Sequence, residues 1–251
     1  MNYEHNLVDF HCHLDLYPEF ERLIVECENN KIRTLAVTTT PRAWPRNRDL
    51  IKNLQYVRPA LGFHPQLVDQ HFQSELTLWE SYLPETYLIG EVGLDGGPNF
   101  VKNFDYQTRV FRRILECCAV AGGKVLSIHS IKAAGAVLDL IKELNSPSNK
   151  YVFHWFSGTI GDLSRAVEFG CYFSVNSAML ASTKGKQIVK SIPIDRLLTE
   201  SDGPFVTTRS GSPATPKDTS DAMSEIEALL GVDRIELSKR INTNLQCLVA
   251  N

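Results

Sequence analysis

The segment DFHCHLD, which spans Asp9 to Asp15, places His11 and His13 two residues apart near the start of the chain. Residues i and i+2 of a β-strand point to the same face, so the two imidazoles are expected to converge on one point. Cys12 between them is expected to face away and pack. Asp9 and Asp15 are expected to support the histidines as hydrogen-bonding groups or to form ion pairs at the rim.

Seven further apolar segments follow, rich in β-branched and aromatic residues. Near-continuous apolarity is typical of parallel strands that are buried on both faces. The eight predicted strands are LVDF from Leu7, IRTLAVT from Ile32, RPALGF from Arg58, YLIGEV from Tyr87, KVLSIH from Lys124, YVFHWF from Tyr151, CYFSVN from Cys171 and RLLTES from Arg196.

Helical patterns fill the intervals between these strands. The clearest helix is predicted from Asn103 to Ala121, with one apolar face and a glycine pair just after its end. A second is predicted from Ala133 to Leu144, and irregular loops are expected over residues 39–47 and 206–219. Eight strand–helix units in 251 residues predict a single α/β domain, a TIM (β/α)8 barrel spanning residues 1–251.

The composition narrows the class of protein. Hydrophobic residues make up 43% of the chain, which is enough for a substantial core, and the net charge of −3 argues against a sequence-independent DNA coat. The six cysteines lack C-x-x-C spacing, so we expect buried, reduced thiols. With neither a signal-peptide pattern nor an apolar run long enough to span a bilayer, a cytoplasmic protein without a membrane segment is expected.

Metal-binding residue types recur at the ends of the predicted strands. The carboxyl ends of barrel strands form one rim, where active sites of this fold lie. Glu200 is expected to be structural, while His5 and His71 miss the strand ends. The residues expected to join His11 and His13 at the rim are His64, Glu91, His129, His154 and Asp202.

The chemistry of this set is specific. The imidazoles of His11, His13, His129 and His154, with the carboxylates of Glu91 and Asp202, can hold two divalent cations if one carboxylate bridges them. Imidazole suits zinc, and carboxylate accepts magnesium or manganese, so Mg, Mn or Zn are the candidate ions. Two such ions can bind a scissile group, activate a water and stabilise the leaving oxygen.

The segments DFHCHLD, LGFHPQ, IGEVGLDGG, SIHS, HWFSGT, FGCYFSV and IPIDRLLTESDGPF resemble, in order, those of the TatD family of metal-dependent deoxyribonucleases in the amidohydrolase superfamily. The resemblance implies a TIM barrel that hydrolyses phosphodiester bonds in DNA, often from a 3′ end. It implies that Glu91 bridges two ions and is catalytic together with Asp202, and that His64 approaches the substrate phosphate. The implied ligands are His11, His13 and Asp202 for one ion, and His129 and His154 for the other.

Two segments depart from the family pattern. Ile131 stands where the family usually has an arginine, which leaves Lys132 as a point charge for the substrate. After Asp202 the loop FVTTRSGSPATPKDTSD replaces the usual arginine and asparagine, so the substrate-facing loop is expected to differ from that of the family.

Finer segments, VTTTPRAW, HWFSGT and SAMLASTKG, resemble the QatD branch of the family. That resemblance implies a bacterial anti-phage defence protein whose partners are phage DNA or a modified nucleic acid and other proteins of a defence operon.

Two aromatic residues near the rim are open to more than one interpretation. Trp44, among several arginines, either stacks on a base of single-stranded nucleic acid or caps the barrel, with equal weight. Trp155 is expected to pack behind the metal pocket.

Two functions other than that of a nuclease are also compatible with the residues. One is an amidohydrolase or deaminase that acts on a nucleoside or modified base, and the other is a binding module without catalysis. Glu91, in place of the carbamylated lysine of many amidohydrolases, favours phosphodiester chemistry, and a full ligand set disfavours a non-catalytic module.

Overall fold

The computed structural model describes residues 7–144 and 146–250, so His5 lies outside the described residues. All eight predicted strands are present, although several are shorter than their apolar runs. They are β1 (Val8–Cys12), β2 (Arg33–Val37), β3 (Val57–Ala60), β4 (Leu88–Gly93), β5 (Val125–His129), β6 (Lys150–His154), β7 (Tyr172–Val175) and β8 (Leu197–Thr199).

All paired strands run parallel, in two sheets of sequential order, β1–β2–β3 and β4–β5–β6–β7–β8. A single parallel bridge between Leu61 and Ile89 joins β3 to β4. Between β8 and β1, the Asp202 amide donates to the His11 carbonyl at 2.9 Å, and the His13 amide donates to the Gly203 carbonyl at 2.8 Å. These contacts, made by residues just beyond the two strands, bring the end of β8 beside the end of β1. The eight parallel strands in sequential order confirm the predicted fold class, although the two sheets do not close into one continuous ladder.

Helices follow the strands in the expected alternation. They are α1 (Phe20–Asn29), α2 (Trp44–Ile51), α3 (Gln73–Tyr82), α4 (Phe104–Ala121), α5 (Ala134–Leu144), α6 (Ile160–Glu168), α7 (Ser177–Leu180), α8 (Thr183–Ser191), α9 (Thr219–Leu230) and α10 (Arg234–Val249). Among residues 7–144 and 146–250, none of the helices has the length and apolarity needed to cross a bilayer.

Helix α4 illustrates how the pattern becomes structure. Its buried face carries Phe111, Ile114, Leu115 and Cys118, and the helix ends at Gly122, whose φ of 67° is costly for residues with a side chain. The predicted loop over residues 39–47 is wrong in its second half. Helix α2 begins within it, because a proline in the first turn is pre-organised for a helix start.

Candidate metal centre

The strand ends that carry the candidate ligands are irregular. The pairing of β1 with β2 shifts register between Asp9 and Cys12, and that of β4 with β5 shifts between Ile89 and Val92. In both cases the chain advances three residues along one strand while its partner advances two, as in a β-bulge. His11 and Glu91 lie inside these two irregularities, so a local change of strand geometry aims both side chains at the barrel axis.

The carboxylate of Glu91 lies at the centre of five imidazoles. Its Oε1 is 2.6 Å from Nδ1 of His129 and 2.9 Å from Nε2 of His154. Its Oε2 is 3.3 Å from His11, 3.1 Å from His13 and 3.2 Å from His64, in each case to Nε2. The two oxygens therefore face two different groups of histidines, the arrangement required of a carboxylate that bridges two ions.

Asp202 completes one of these groups. Its Oδ1 lies 3.7 Å from Nε2 of His11 and 3.8 Å from Nε2 of His13. Asp202 follows β8 with a φ of 47°, a conformation that residues other than glycine seldom adopt. Such outliers cluster at functional sites, where the surrounding structure holds them in place.

The carboxylates of Glu91 and Asp202 are both buried, and within the described residues neither forms an ion pair with a lysine or an arginine. Burial alone would raise the pKa of Glu91, but the imidazoles of His64, His154 and His11 hold it well below its usual range. Burial, with Glu200 and Glu91 nearby, raises the pKa of Asp202 well above its usual range. Bound cations would stabilise both carboxylates in their charged form.

The donor set fits divalent cations. Nδ1 of His13 and Nδ1 of His154 are buried without a hydrogen-bond partner, and the Nε2 atoms of His11 and His13 face each other at 3.2 Å. His11, His13 and Glu91 offer ligand atoms within 4.8 Å of one another, as do His64, Glu91 and His129. The second trio contains His64 rather than His154, so distance alone does not separate a metal ligand from a substrate contact on that side.

Asp95 is a site residue that the sequence reasoning did not single out. It is buried, and its Oδ2 lies 2.9 Å from Nε2 of His129 and accepts a hydrogen bond from Gln66 at 2.8 Å. His129 thus has a carboxylate against each ring nitrogen. The available signal was a second carboxylate four residues after Glu91, just beyond the end of β4.

Glu200 lies at the site itself, because its carboxylate, His11 and His154 offer ligand atoms within 4.8 Å of one another. Its expected structural role stays a prediction. Its Oε1 accepts the Trp155 amide at 3.1 Å and the Asn176 side chain at 2.8 Å, and Ser174 donates to its other oxygen. The carboxylate also lies 3.7 Å from Nδ1 of His154. Strand alternation does not distinguish Glu200 from Asp202, because the two residues are two positions apart and β8 already ends at Thr199.

Within β1, Cys12 packs as predicted, and Asp9 acts as a supporting hydrogen-bond acceptor, one of its two expected roles. Asp9 is fully buried, and its Oδ1 accepts the His11 amide at 3.2 Å and the Ser201 amide at 2.9 Å. Cys12 belongs to a small apolar cluster with α1. Asp9 thereby ties the strand that carries His11 to the loop that carries Asp202. Asp15, beyond the strand, accepts a hydrogen bond from the Asn47 side chain at 3.1 Å.

A cavity of about 390 Å³ opens above the cluster, within the usual range of ligand sites. Its floor contains His13, His64, Glu91, His129, His154 and Asp202, and its walls contain Gln66, Ser130, Ile131, Trp155, Ser157 and Phe205. Trp155 packs against the main core, as expected, but it also lines the cavity and does not lie wholly behind the pocket. The reason is its backbone: a φ of 38° directly after β6 turns the chain out of the strand conformation.

Two predicted substrate contacts do not face this cavity. Trp44 is 1% exposed in the main core, and its indole nitrogen donates to Glu85 at 3.0 Å. A ring buried in this way offers no face to a base, so the base-stacking interpretation is corrected in favour of packing. Lys132 is exposed beside the site but is not among the lining residues, whereas Ile131 is.

Comparison with known proteins places this geometry in a family. The family described as TatD related DNase matches residues 8–249. Human deoxyribonuclease TATDN3 is 27% identical over 217 residues, which cover 79% of this chain and 78% of the relative. The uncharacterized metal-dependent hydrolase YabD of Bacillus subtilis is 28% identical over 211 residues, covering 80% and 81%.

Among solved structures, YJJV, a TatD homolog from Escherichia coli K12, superimposes with a TM-score of 0.88 at 22% identity, covering 98% of each chain. That similarity supports the barrel fold alone. The family match spans nearly the whole chain, and this protein accordingly belongs to the TatD-related DNases and is a metal-dependent hydrolase.

Proposed function

We propose that this protein hydrolyses phosphodiester bonds at exposed single-stranded ends of nucleic acid, DNA foremost and from the 3′ end, with two divalent ions. The observation that carries the proposal is the division of the Glu91 oxygens between two groups of histidines. We assign His11, His13 and Asp202 to one ion, His129 and His154 to the other, and Glu91 to both.

When bound, two divalent ions supply Lewis-acid polarisation of the phosphodiester and a nucleophilic oxygen at neutral pH. His64 has a separate role that its hydrogen bonds define. Its Nδ1 accepts the Gln66 amide at 3.1 Å, so in the neutral ring the proton lies on Nε2, the atom that faces the site. That N–H is placed to donate to a phosphate oxygen of the substrate.

The shape of the site supports a single-stranded end as substrate. The ligand cluster lies at the floor of a concave cavity on the rim of the barrel. An intact duplex is too wide and stiff to bring an internal phosphate down to this floor, whereas a single strand can enter by its end. The preference for the 3′ end rests on the family resemblance.

Cleavage assays with defined substrates test the proposal. Protein loaded with manganese should shorten a single-stranded oligonucleotide faster than the same sequence in a blunt duplex, and a block on the 3′ end should slow it more than a block on the 5′ end. A nucleoside panel in parallel tests the amidohydrolase alternative. Faster cleavage of the blunt duplex, or deamination without phosphodiester cleavage, would overturn the proposal.

We further propose a cytoplasmic role in anti-phage defence beside other proteins of one operon, which rests on the resemblance of VTTTPRAW, HWFSGT and SAMLASTKG to the QatD branch. Phage plating on cells that carry the operon tests it. Replacing the gene with one encoding Glu91→Gln should abolish protection while the protein level stays unchanged. Full protection by that variant would exclude a catalytic role in defence.

A further inference from the structure

The floor of the cavity consists of histidines and carboxylates, whereas three apolar or aromatic side chains lie at its opening. Ile131 is 41% exposed and Phe205 is 60% exposed, and both border the opening together with the partly exposed Trp155. Exposed apolar side chains that lie singly on a surface need no explanation, but three around one polar floor form a binding feature. Two of them are close in sequence to proposed ligands: Trp155 follows His154, and Phe205 comes three residues after Asp202.

Contacts within the site hold the ring of Phe205 and the backbone of Trp155. The Phe205 ring contacts the His13 ring edge-on, with centroids 5.1 Å apart. The amide of Trp155 donates to Glu200 at 3.1 Å and to the Ser174 carbonyl at 3.3 Å, although its φ of 38° is unfavourable for a bulky residue. A conformation of this kind persists only where its surroundings enforce it, as at ligand sites.

Cationic side chains are missing from this wall. Within the described part of the chain, neither lysine nor arginine lines the cavity, and Ile131 occupies a position beside His129 and Ser130. A substrate phosphate would therefore meet the ions and His64 at the floor, while the walls offer the apolar and aromatic side chains of Ile131, Trp155 and Phe205 beside uncharged polar groups. The apolar and aromatic part of the wall fits a flat, weakly polar part of the substrate next to its phosphate.

We propose that Trp155, Phe205 and Ile131 form a slot for the nucleobase adjacent to the scissile phosphate, with Trp155 and Phe205 as its stacking surfaces. This rests on the proposed function for the identity of the substrate. Stacking on aromatic side chains is tolerant of sequence, because every base has a π-face. The slot therefore selects a base-bearing end without selecting its sequence.

Tryptophan fluorescence tests the slot without requiring cleavage. Of the three tryptophans, Trp44 and Trp79 are buried, so Trp155 is the one that a ligand can reach. Thymidine 5′-monophosphate added to Mg²⁺-loaded protein should quench the fluorescence, whereas 2-deoxyribose 5-phosphate should not. The variant Trp155→Phe should lose the quenching. Equal quenching by both ligands, or none by either, would overturn the slot.

Cleavage of an oligonucleotide with an abasic end gives the second test. Wild-type protein should cleave it about 5- to 150-fold more slowly than the base-bearing oligonucleotide, the range expected for one stacked base. Trp155→Ala should lose a similar factor on the base-bearing substrate and little on the abasic one. Ile160→Ala, which removes an exposed apolar side chain outside the cavity, should lose neither.

The outcomes separate the two proposals. Base-specific quenching without any phosphodiester cleavage would contradict the proposed function and keep the slot. Cleavage at equal rates on base-bearing and abasic ends would keep the function and overturn the slot. If Trp155→Ala loses the same factor in cleavage rate on both substrates, the slot is also overturned, because Trp155 would then only stabilise the rim of the barrel. If Trp155→Ala fails to fold, the wild-type comparison alone remains decisive.

Discussion

At the scale of single residues, Glu91 is the side chain whose carboxylate contacts all five histidines of the site. It is 1% exposed and contacts five imidazoles, whereas His64 contacts it from one side only and is fixed by the Gln66 amide. Removing the charge of Glu91 therefore disturbs both proposed ion positions. Removing His64 takes away one donor to the substrate.

Glu91→Gln is accordingly expected to reduce the single-turnover rate more than His64→Ala does. The loss for His64→Ala should be about 10²–10³-fold if its donor acts in the transition state. Elemental analysis should show that Glu91→Gln also loses bound metal, while His64→Ala keeps it. Glu143→Gln, at an exposed carboxylate paired with Arg112, is the control and should behave as wild type. Equal rates for the two site variants would contradict these roles.

Glu200 acts on the site through its neighbours. Its carboxylate holds the Trp155 amide and lies 3.7 Å from Nδ1 of His154. Outer-shell partners of metal-binding histidines typically contribute 10- to 100-fold to metal affinity or activity. We therefore expect Glu200→Gln to weaken metal binding by roughly that factor. Titration with a competing chelator measures the affinity, and an unchanged affinity would limit Glu200 to packing.

At the scale of elements, glycines let the strand ends approach closely enough to form the cluster. A Cβ added to Gly93 would overlap the carbonyl oxygen of His129 on the adjacent strand β5, and its φ is 142°. Gly123 also has a positive φ, 62°, but a Cβ there would meet no atom within 4 Å. An alanine at Gly123 would therefore meet only backbone strain, whereas an alanine at Gly93 would meet both backbone strain and steric overlap.

Gly123→Ala is expected to cost about 1–2 kcal/mol of unfolding free energy, from the positive φ alone. Gly93→Ala should cost about 1–3 kcal/mol more, because β4 and β5 must move apart. It should also weaken metal binding, since the movement separates Glu91 from His129. Urea unfolding of both variants measures the difference. A smaller cost for Gly93→Ala than for Gly123→Ala would show that the strands adapt without strain.

At the scale of the whole molecule, the barrel draws ligands from β1, β4, β5, β6 and β8 into one buried cluster. The unfolded chain has no such cluster, so ions that bind it stabilise the folded state by mass action. Burial of two carboxylates and five imidazoles otherwise opposes folding.

Divalent ions are therefore expected to raise the unfolding temperature in a concentration-dependent way. The gain should be about 2.7 kcal/mol when the free ion exceeds its Kd about 100-fold. Thermal unfolding with Mn²⁺, Mg²⁺ and Zn²⁺, and after chelator treatment, measures it, with Glu91→Gln as the variant that should lose the effect. Bound metal should reach two equivalents per chain. A stability that is indifferent to all three ions would contradict the metal centre.

Much of this molecule could be predicted from local patterns. Continuous apolarity identified all eight strands, and the polar residues after them identified the rim, because a parallel barrel brings all its carboxyl strand ends to one face. The apolar face of α4 and the glycine at its end could likewise be predicted from a local pattern. Each of these inferences depends on a periodicity or a spacing within one segment.

Other features depended on contacts between distant segments. The burial of Trp44 against Glu85, the contact of Asp95 with His129 and the exposure of Trp155 into the cavity all join residues whose spacing carries no period. The register shifts in β1 and β4 decide where His11 and Glu91 point, and they arise only when neighbouring strands pair. The sequence by itself determined the barrel and the candidate ligands at its rim, because apolar runs and the residues at their ends are local properties. Only the tertiary structure decided which aromatic side chains line the site, because that depends on backbone turns and packing between segments.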